Sequence, residues 1–136
     1  MFRLSIVTPE KIFFDNDVQA LVVPGSEGYL GVLSNHAPLI TALQPGRIEF
    51  RDANDKVSYL SVTNGFIEVS KNTATILCDA AEYADEIDLE RAELALKNAN
   101  EHIKEYQDGN KEINIDAERD AVIRAKNRIR ISKEKH

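Results

Sequence analysis

A chain of 136 residues can form one domain, or one domain with a small second unit. Its net charge of −6 argues against general nucleic-acid binding, and its single cysteine, Cys78, excludes an internal disulfide. Its apolar runs fall far short of the roughly 20 residues of a membrane-spanning helix, and its N-terminus has neither signal-peptide nor transit-peptide character, which favours a reducing compartment.

The composition changes sharply near residue 86. Residues 1–86 carry six basic and twelve acidic side chains, whereas residues 87–136 carry eleven of each. All four prolines and all five phenylalanines lie in the first segment. We therefore predict two domains, residues 1–86 and residues 87–136.

Short apolar runs separated by turn residues predict β structure in residues 1–86. We expect breaks at Thr8-Pro9 and at residues 15–17, and hairpin turns at residues 52–55 and 70–72. Eight to ten short strands at this spacing predict a sandwich or a flattened barrel. Cys78 ends an apolar run, so we expect it to be a buried small hydrophobic residue rather than a catalytic thiol.

The stretch from Gly25 to Gly46 holds four of the six glycines and two of the four prolines. It predicts a short buried strand, a turn at residues 34–36 and a second strand entered through Pro38. The alternative is a glycine-rich connection without a function beyond folding, and composition alone favours that alternative.

Residues 87–136 predict an antiparallel hairpin of two helices. Asp88 and Asp116 are the expected N-caps, and residues 108–110 end the first helix. The predicted apolar stripes are Leu89, Ala92, Leu96, Ala99, Ile103 and Tyr106 in the first helix, and Ala121 or Val122, Ala125 and Ile129 in the second. Because these stripes are narrow and rich in alanine, the hairpin is a candidate mobile element. A permanently docked hairpin is the alternative.

Opposite charges are concentrated at the two ends of this segment. Residues 79–93 contain seven acids and one base. An antiparallel hairpin would place these acids beside the basic end of the second helix. The closed hairpin would then carry a ladder of solvated ion pairs, whereas an open hairpin would expose the basic face of the second helix. The basic residues are Arg124, Lys126, Arg128, Arg130, Lys133 and Lys135.

The sequence contains no motif of a known catalytic site. The GxxxxGK[ST] loop of nucleotide hydrolases is missing, and the histidines at positions 36, 102 and 136 have no metal-ligand spacing. We therefore predict no catalytic residue and no metal site.

The segment Gly28-Tyr-Leu-Gly-Val-Leu-Ser-Asn-His-Ala-Pro-Leu39 resembles the signature of the ε subunit of F-type ATP synthases. Two positions depart from it, Ser34 in place of a frequent proline and Tyr29 in place of a frequent polar residue. Further blocks on both sides of this segment match the family in its order along the chain: Val7-Thr8-Pro9, Asn64 to Val69, Thr75 to Leu77, Ala80 to Glu82 and Ile87 to Ala92.

This resemblance implies an α+β fold, an N-terminal antiparallel β-sandwich followed by a C-terminal two-helix hairpin. It also implies a non-catalytic rotor subunit of the central stalk, which joins the γ subunit to the ring of c subunits. The sandwich would bind γ and rest on the c-ring through Tyr29 and His36. The hairpin would inhibit ATP hydrolysis by extending toward the catalytic α/β subunits. The chain would lie at the cytoplasmic face of the inner (plasma) membrane, held there only through the complex, and would require no cofactor.

The motif Ile-Asp-x-x-Arg-Ala at residues 87–92 is similar to the ATP-binding motif of some bacterial ε subunits. The candidate ATP-binding residues that this implies are Glu82, Ile87, Asp88, Arg91, Ala92, Arg124 and Arg128. Guanidinium groups bind phosphate oxygens well because their N–H groups donate two parallel hydrogen bonds in one plane. Asn98 departs from the pattern, since the ATP-binding relatives have an arginine there. ATP is thus a candidate regulatory ligand, and an ATP-sensing module is the alternative main function. A local capping role for Asp88 is the alternative for the motif.

Overall fold

The computed structural model of the protein describes residues 1–134. The chain divides into two compact units, Met1–Tyr83 and a second unit that begins at Ala84. The division falls slightly before the composition break at residue 86, because Ala81–Tyr83 pairs with the strand Val57–Val62. The following turn of 3-10 helix, Ala84–Glu86, contacts the last helix instead.

The first unit contains nine strands, bounded as follows: β1 Phe2–Val7, β2 Ile12–Gly25, β3 Gly28–Leu33, β4 Leu39–Leu43, β5 Gly46–Asp52, β6 Val57–Val62, β7 Gly65–Ser70, β8 Thr73–Cys78 and β9 Ala81–Tyr83. Up to residue 134, the second unit contains two α-helices, α1 Leu89–Gln107 and α2 Ile115–Lys133.

Strand β2 organises the sandwich. It pairs with β1 and then β3 along its length, and also with β5 and, at Gly25, with β4. Since β4 pairs with β7, β7 with β8 and β8 with β1, the strands β1, β2, β4, β7 and β8 close into a ring. The predicted sandwich is confirmed. One correction concerns its strand directions, because β1 and β8 are parallel and the other pairs are antiparallel.

The predicted break at residues 15–17 is wrong. These three polar residues continue β2 opposite residues 3–5 of β1. Their backbone forms the ladder while their side chains stay exposed, and Arg3 Nε donates to Asp15 Oδ1 at 2.8 Å. Because pairing with a neighbouring strand outweighs local turn preference, three polar residues did not end the strand.

Large apolar side chains fill the interior between the strands. The fully buried ones in this unit are Leu4, Ile6, Val18, Leu21, Val23, Val32, Ile48, Leu60, Val62, Ile67 and Ile76. Cys78 is buried against the same core, as predicted, and its burial raises the pKa of the thiol to about 11. The thiol is therefore protonated at neutral pH, which suits a packing role.

The two predicted hairpin turns are confirmed. Asp52 Oδ1 accepts hydrogen bonds from the backbone N–H groups of Asn54 at 2.8 Å and Lys56 at 3.0 Å. Lys71 and Asn72, which connect β7 to β8, both have positive φ angles. That backbone is typical of a two-residue hairpin loop whose twist matches the strands.

Helix α1 begins as predicted and α2 does not. Asp88 Oδ1 accepts from Arg91 N at 3.1 Å and caps α1. The cap of α2 is Asn114, whose Oδ1 accepts from Ala117 N at 3.1 Å. Asp116 lies inside the first turn, where a carboxylate favours the positive end of the helix dipole. Asn and Asp are about equally good N-caps, so residue type alone does not distinguish Asn114 from Asp116.

The two helices pack side by side and antiparallel. His102 Nδ1, in the second half of α1, lies 3.2 Å from Glu118 Oε1 in the first turns of α2. Three alanines of the predicted stripes, Ala92, Ala99 and Ala125, are buried, whereas Ala121 and Val122 are partly buried. Lys135, one residue of the predicted basic cluster, lies outside the described residues.

Replacing Asn114 by alanine should destabilise α2, whereas replacing Asp116 by alanine should have a smaller effect. Loss of a side-chain cap costs about 1 kcal/mol, and a charge in the first turn contributes roughly 0.3–1 kcal/mol. Amide exchange at Ala117 reports the capping bond directly. Faster exchange after the change at Asp116 than after the change at Asn114 would contradict this assignment.

Candidate functional site

Tyr29 and His36 lie at the two ends of β3. The exposed Tyr29 ring sits beside the start of β5, where its hydroxyl oxygen accepts from Arg47 N at 3.4 Å. His36 follows the turn after β3, and its Nδ1 lies 2.7 Å from the carbonyl oxygen of Ala37. Because a carbonyl only accepts, that ring nitrogen carries the proton. Tyr29 lies at the start of β3 and His36 three residues beyond its end, so the length of the strand lies between them. Their contact with the c-ring stays a prediction.

A row of apolar residues crosses five neighbouring strands. In register, Ala42 of β4 lies opposite Phe66 of β7, Phe66 opposite Leu77 of β8, Leu77 opposite Val7 of β1, and Val7 opposite Ile12 of β2. Residues directly opposite in a sheet share a face. Phe66, Leu77 and Ile12 are 58%, 53% and 65% exposed, so this apolar row is a surface feature.

A groove continues from the apolar row at the start of β7 and the end of β8. It has a volume of about 410 Å³ and is lined by Val7, Thr8, Pro9, residues 64–66 and residues 77–79. Large exposed side chains beside a groove are typical of an interaction surface rather than of a monomer's ordinary exterior. The row and the groove together form a candidate protein-binding face.

The predicted ATP-binding residues of α1 surround its N-terminus. Ile87 is buried just before the helix, and Ala92 is fully buried inside it. Asp88 and Arg91 are exposed, and the carboxylate of Asp88 accepts the backbone N–H of Arg91. The capping role of Asp88 is therefore present, and a role in ATP binding stays a prediction.

The other predicted ATP-binding residues lie on two different elements. Arg124 is exposed and Arg128 is partly buried, one turn further along α2. In the antiparallel hairpin, Arg128 lies nearer the start of α1 than Arg124 does. Glu82 belongs to β9 in the first unit, where it pairs with Ser61 of β6.

Among residues 1–134, no cluster of three histidine, cysteine or acidic side chains could hold a metal ion. In the same range, neither helix is long and apolar enough to cross a bilayer.

The apolar row was not predicted from the sequence. A signal was present, since Leu77 is out of phase with the buried residues Ala74, Ile76 and Cys78 of the same strand. Phe66 likewise alternates with the buried Ile67. A large apolar residue on the solvent side of an alternating strand indicates a second contact, but a single sequence does not reveal which strands place such residues side by side.

The chain is similar to known proteins both over its first unit and along nearly its whole length. A family model of the β-sandwich domain of the ATP synthase delta/epsilon chain matches residues 1–84. An ATP synthase epsilon chain of Desulforamulus reducens is 39% identical over 128 residues, 94% of each chain. One of Pelotomaculum thermopropionicum is 50% identical over 101 residues, 74% of this chain and 75% of the relative.

Solved structures share the fold. A chain in the cryo-EM structure of the Euglena gracilis mitochondrial ATP synthase (OSCP/F1/c-ring) matches with a TM-score of 0.77 and 22% identity, over 91% of this chain and 76% of that chain. A chain from the central stalk and c-ring of the Tetrahymena thermophila enzyme matches with a TM-score of 0.55 and 19% identity, over 62% of this chain and 68% of that chain. At these identities the likeness concerns the fold. The relative that matches along nearly the whole chain and the family model of the sandwich agree, and the protein belongs to the epsilon chain family of F-type ATP synthases.

Proposed function

We propose that this epsilon chain is a rotor subunit of the central stalk, in which the sandwich binds the γ subunit through the apolar row and rests on the c-ring near Tyr29 and His36. As an epsilon chain it is a non-catalytic subunit of ATP synthase. It lies at the cytoplasmic face of the membrane through its partners. The exposed apolar row is the observation that carries the proposal.

Exposure of the apolar row to water is unfavourable in free energy. Burying a side chain such as Phe, Leu or Ile contributes about 1.5–3 kcal/mol. Phe66, Leu77 and Ile12 leave this contribution unused in the isolated chain. A partner that covers the row would gain it, and the neighbouring groove offers room for a projecting side chain.

The second part of the proposal assigns regulation to the hairpin. The buried residues of its two helices are mostly small, Ala92, Ala99, Ala125 and Ser132, with Asn127 and the single large apolar side chain of Ile131. Small side chains bury little area, so the packing of the hairpin itself stabilises it weakly. The basic residues of α2 would contact carboxylates of a catalytic subunit when the hairpin extends, and inhibit ATP hydrolysis. ATP as a ligand of the closed hairpin remains the alternative role.

Changing both Phe66 and Leu77 to aspartate should release the chain from the complex. Loss of two buried apolar contacts weakens binding by a factor on the order of 100 or more. The variant should still fold, because both side chains are already largely exposed. The measurement is the amount of chain that co-purifies with detergent-solubilised ATP synthase from cells that make no other epsilon chain.

Leu94→Asp is the matched control. Leu94 is 56% exposed, close to the value for Phe66, but it lies on α1. It should leave co-purification unchanged. Retention of the double aspartate variant at the wild-type level would refute binding through the apolar row, and absence of the wild-type chain from the complex would refute the stalk assignment.

A further inference from the structure

Strand β3 presents an unpaired edge to solvent. Its partner is β2, from Ala20 opposite Leu33 to Gly25 opposite Gly28. Within residues 1–134, no strand pairs with the other side of β3. The β9 edge is only three residues long, Ala81–Tyr83, whereas β3 offers six residues without charge or proline. Natural edge strands are usually protected against pairing by short length, by charged side chains or by proline, and β3 has none of these features.

Pro24 reveals which backbone groups of β3 point outward. Proline has no N–H, and the Pro24 carbonyl accepts from Gln44 N at 2.9 Å. Pro24 therefore makes no ladder hydrogen bond to Tyr29, the residue opposite it in β3. Because ladder bonds alternate along an antiparallel pair, Tyr29, Gly31 and Leu33 all direct their N–H and C=O groups away from β2. The Leu33 carbonyl accepts from His36 N at 3.2 Å, and the other groups form the free edge.

Gly31 lies at the middle of this edge without an internal reason to be glycine. Its φ angle is not in the left-handed region, and a Cβ placed on it would meet no atom within 4 Å. Glycine inside a strand weakens it, and often marks the close approach of another backbone. The exposed side chains of Tyr29 and Leu33 flank the gap that Gly31 leaves.

We propose that the edge of β3 binds an extended segment of another subunit, which adds a strand to the sheet of this chain. The proposal rests on the assembly into ATP synthase proposed above. The backbone of the segment would pair with Tyr29, Gly31 and Leu33, and a large apolar side chain would cover Gly31. Since β3 carries no charge, the segment that complements it is uncharged and apolar.

A second copy of this chain fits the edge less well. Two β3 strands paired about Gly31 would place glycine opposite glycine and leave the gap unfilled. Each copy also carries a net charge of −6, which opposes association. The subunit partner is therefore the occupant to which the proposal commits.

Amide exchange resolved by residue tests this pairing in the intact protein. In the isolated full chain, Tyr29 and Gly31 should exchange fast, whereas Leu30 and Val32, bonded to β2, should exchange slowly. In the purified ATP synthase complex, Tyr29 and Gly31 should slow by at least about 100-fold. Equal exchange at these two amides in the isolated chain and in the complex would overturn the proposal while leaving the stalk assignment intact.

A pair of substitutions separates backbone pairing from side-chain contact. Gly31→Pro removes the outward donor without removing a bond to β2, and edge strands tolerate proline at such a position. It should lower retention in the complex by about tenfold in a salt wash, while Gly31→Ala, which keeps the N–H and only narrows the gap, should be retained better than the proline variant. Equal retention of the two variants would contradict strand addition. Slow exchange at Gly31 that depends on the concentration of the isolated chain would identify a second copy and overturn the subunit partner.

Discussion

Replacing Gly65 by alanine should lower the unfolding free energy by about 3 kcal/mol, and the melting temperature by on the order of 10 °C. Gly65 begins β7 and lies opposite Cys78 of β8. An added Cβ would overlap the carbonyl oxygen of Leu77 and lie 2.8 Å from Cys78 Cα. Both obstacles are backbone atoms, so β7 and β8 must separate to admit a methyl group. Thermal and urea unfolding of the full chain measure the loss.

Gly31→Ala provides the matched control. It is the same chemical change in another strand of the same sandwich, but its Cβ meets nothing within 4 Å. Its stability should stay within about 0.5 kcal/mol of wild type. Similar unfolding curves for the two variants would show that close packing of β7 on β8 does not limit stability. If β7 and β8 separate in the Gly65 variant, Phe66, the next residue of β7, should also shift and disrupt the apolar row.

Deleting residues 87–136 should raise ATP hydrolysis by the purified complex several-fold while leaving assembly largely intact. The sandwich core is formed by residues 2–78, and the apolar row lies wholly within them. The deletion removes the weakly packed hairpin and its basic residues, which would otherwise hold a catalytic subunit. ATPase activity per complex, with the amount of γ subunit as reference, is the measurement.

The Arg124→Ala/Arg128→Ala double variant of the full chain should reproduce part of this increase. The two arginines lie one turn apart on α2 and therefore project from one face of the helix. Arg91→Ala, on α1, is the control and should affect hydrolysis less. Unchanged hydrolysis after the deletion would show that the hairpin of this chain is not an inhibitor.

Local signals predicted much of this fold. Alternating apolar residues predicted the strands, and Asp52 and the Lys71-Asn72 pair predicted hairpins because their effect acts over a few residues. The error at residues 15–17 has the opposite origin. Their polar side chains predicted a break, but pairing with the neighbouring strand β1, across the short turn between Val7 and Ile12, keeps them extended.

The candidate binding face was less predictable than the fold. The sequence does not show that Phe66 and Leu77 are neighbours, because this depends on the register of β7 and β8. Val7 and Ile12 join the row only through the pairing of β1 with β8 and β2. The free edge of β3 is visible only once the strands are paired, and Pro24 in the neighbouring strand shows which of its backbone groups point outward. Asn114 shows the same limit on a smaller scale, since Asn114 and Asp116 are both acceptable caps until one hydrogen bond is formed.

The ring of five strands has a consequence for how the chain folds during synthesis. β1 is the first strand made, and it needs β8 as its parallel neighbour, with Arg3 opposite Thr73 and Val7 opposite Leu77. Nearly the whole sandwich must leave the ribosome before β1 has both partners. Until then, one side of β1 stays an open edge in the nascent chain, and non-local pairing of this kind closes slowly. The ring is therefore closed by β8, the second-last strand of the sandwich, shortly before the hairpin emerges.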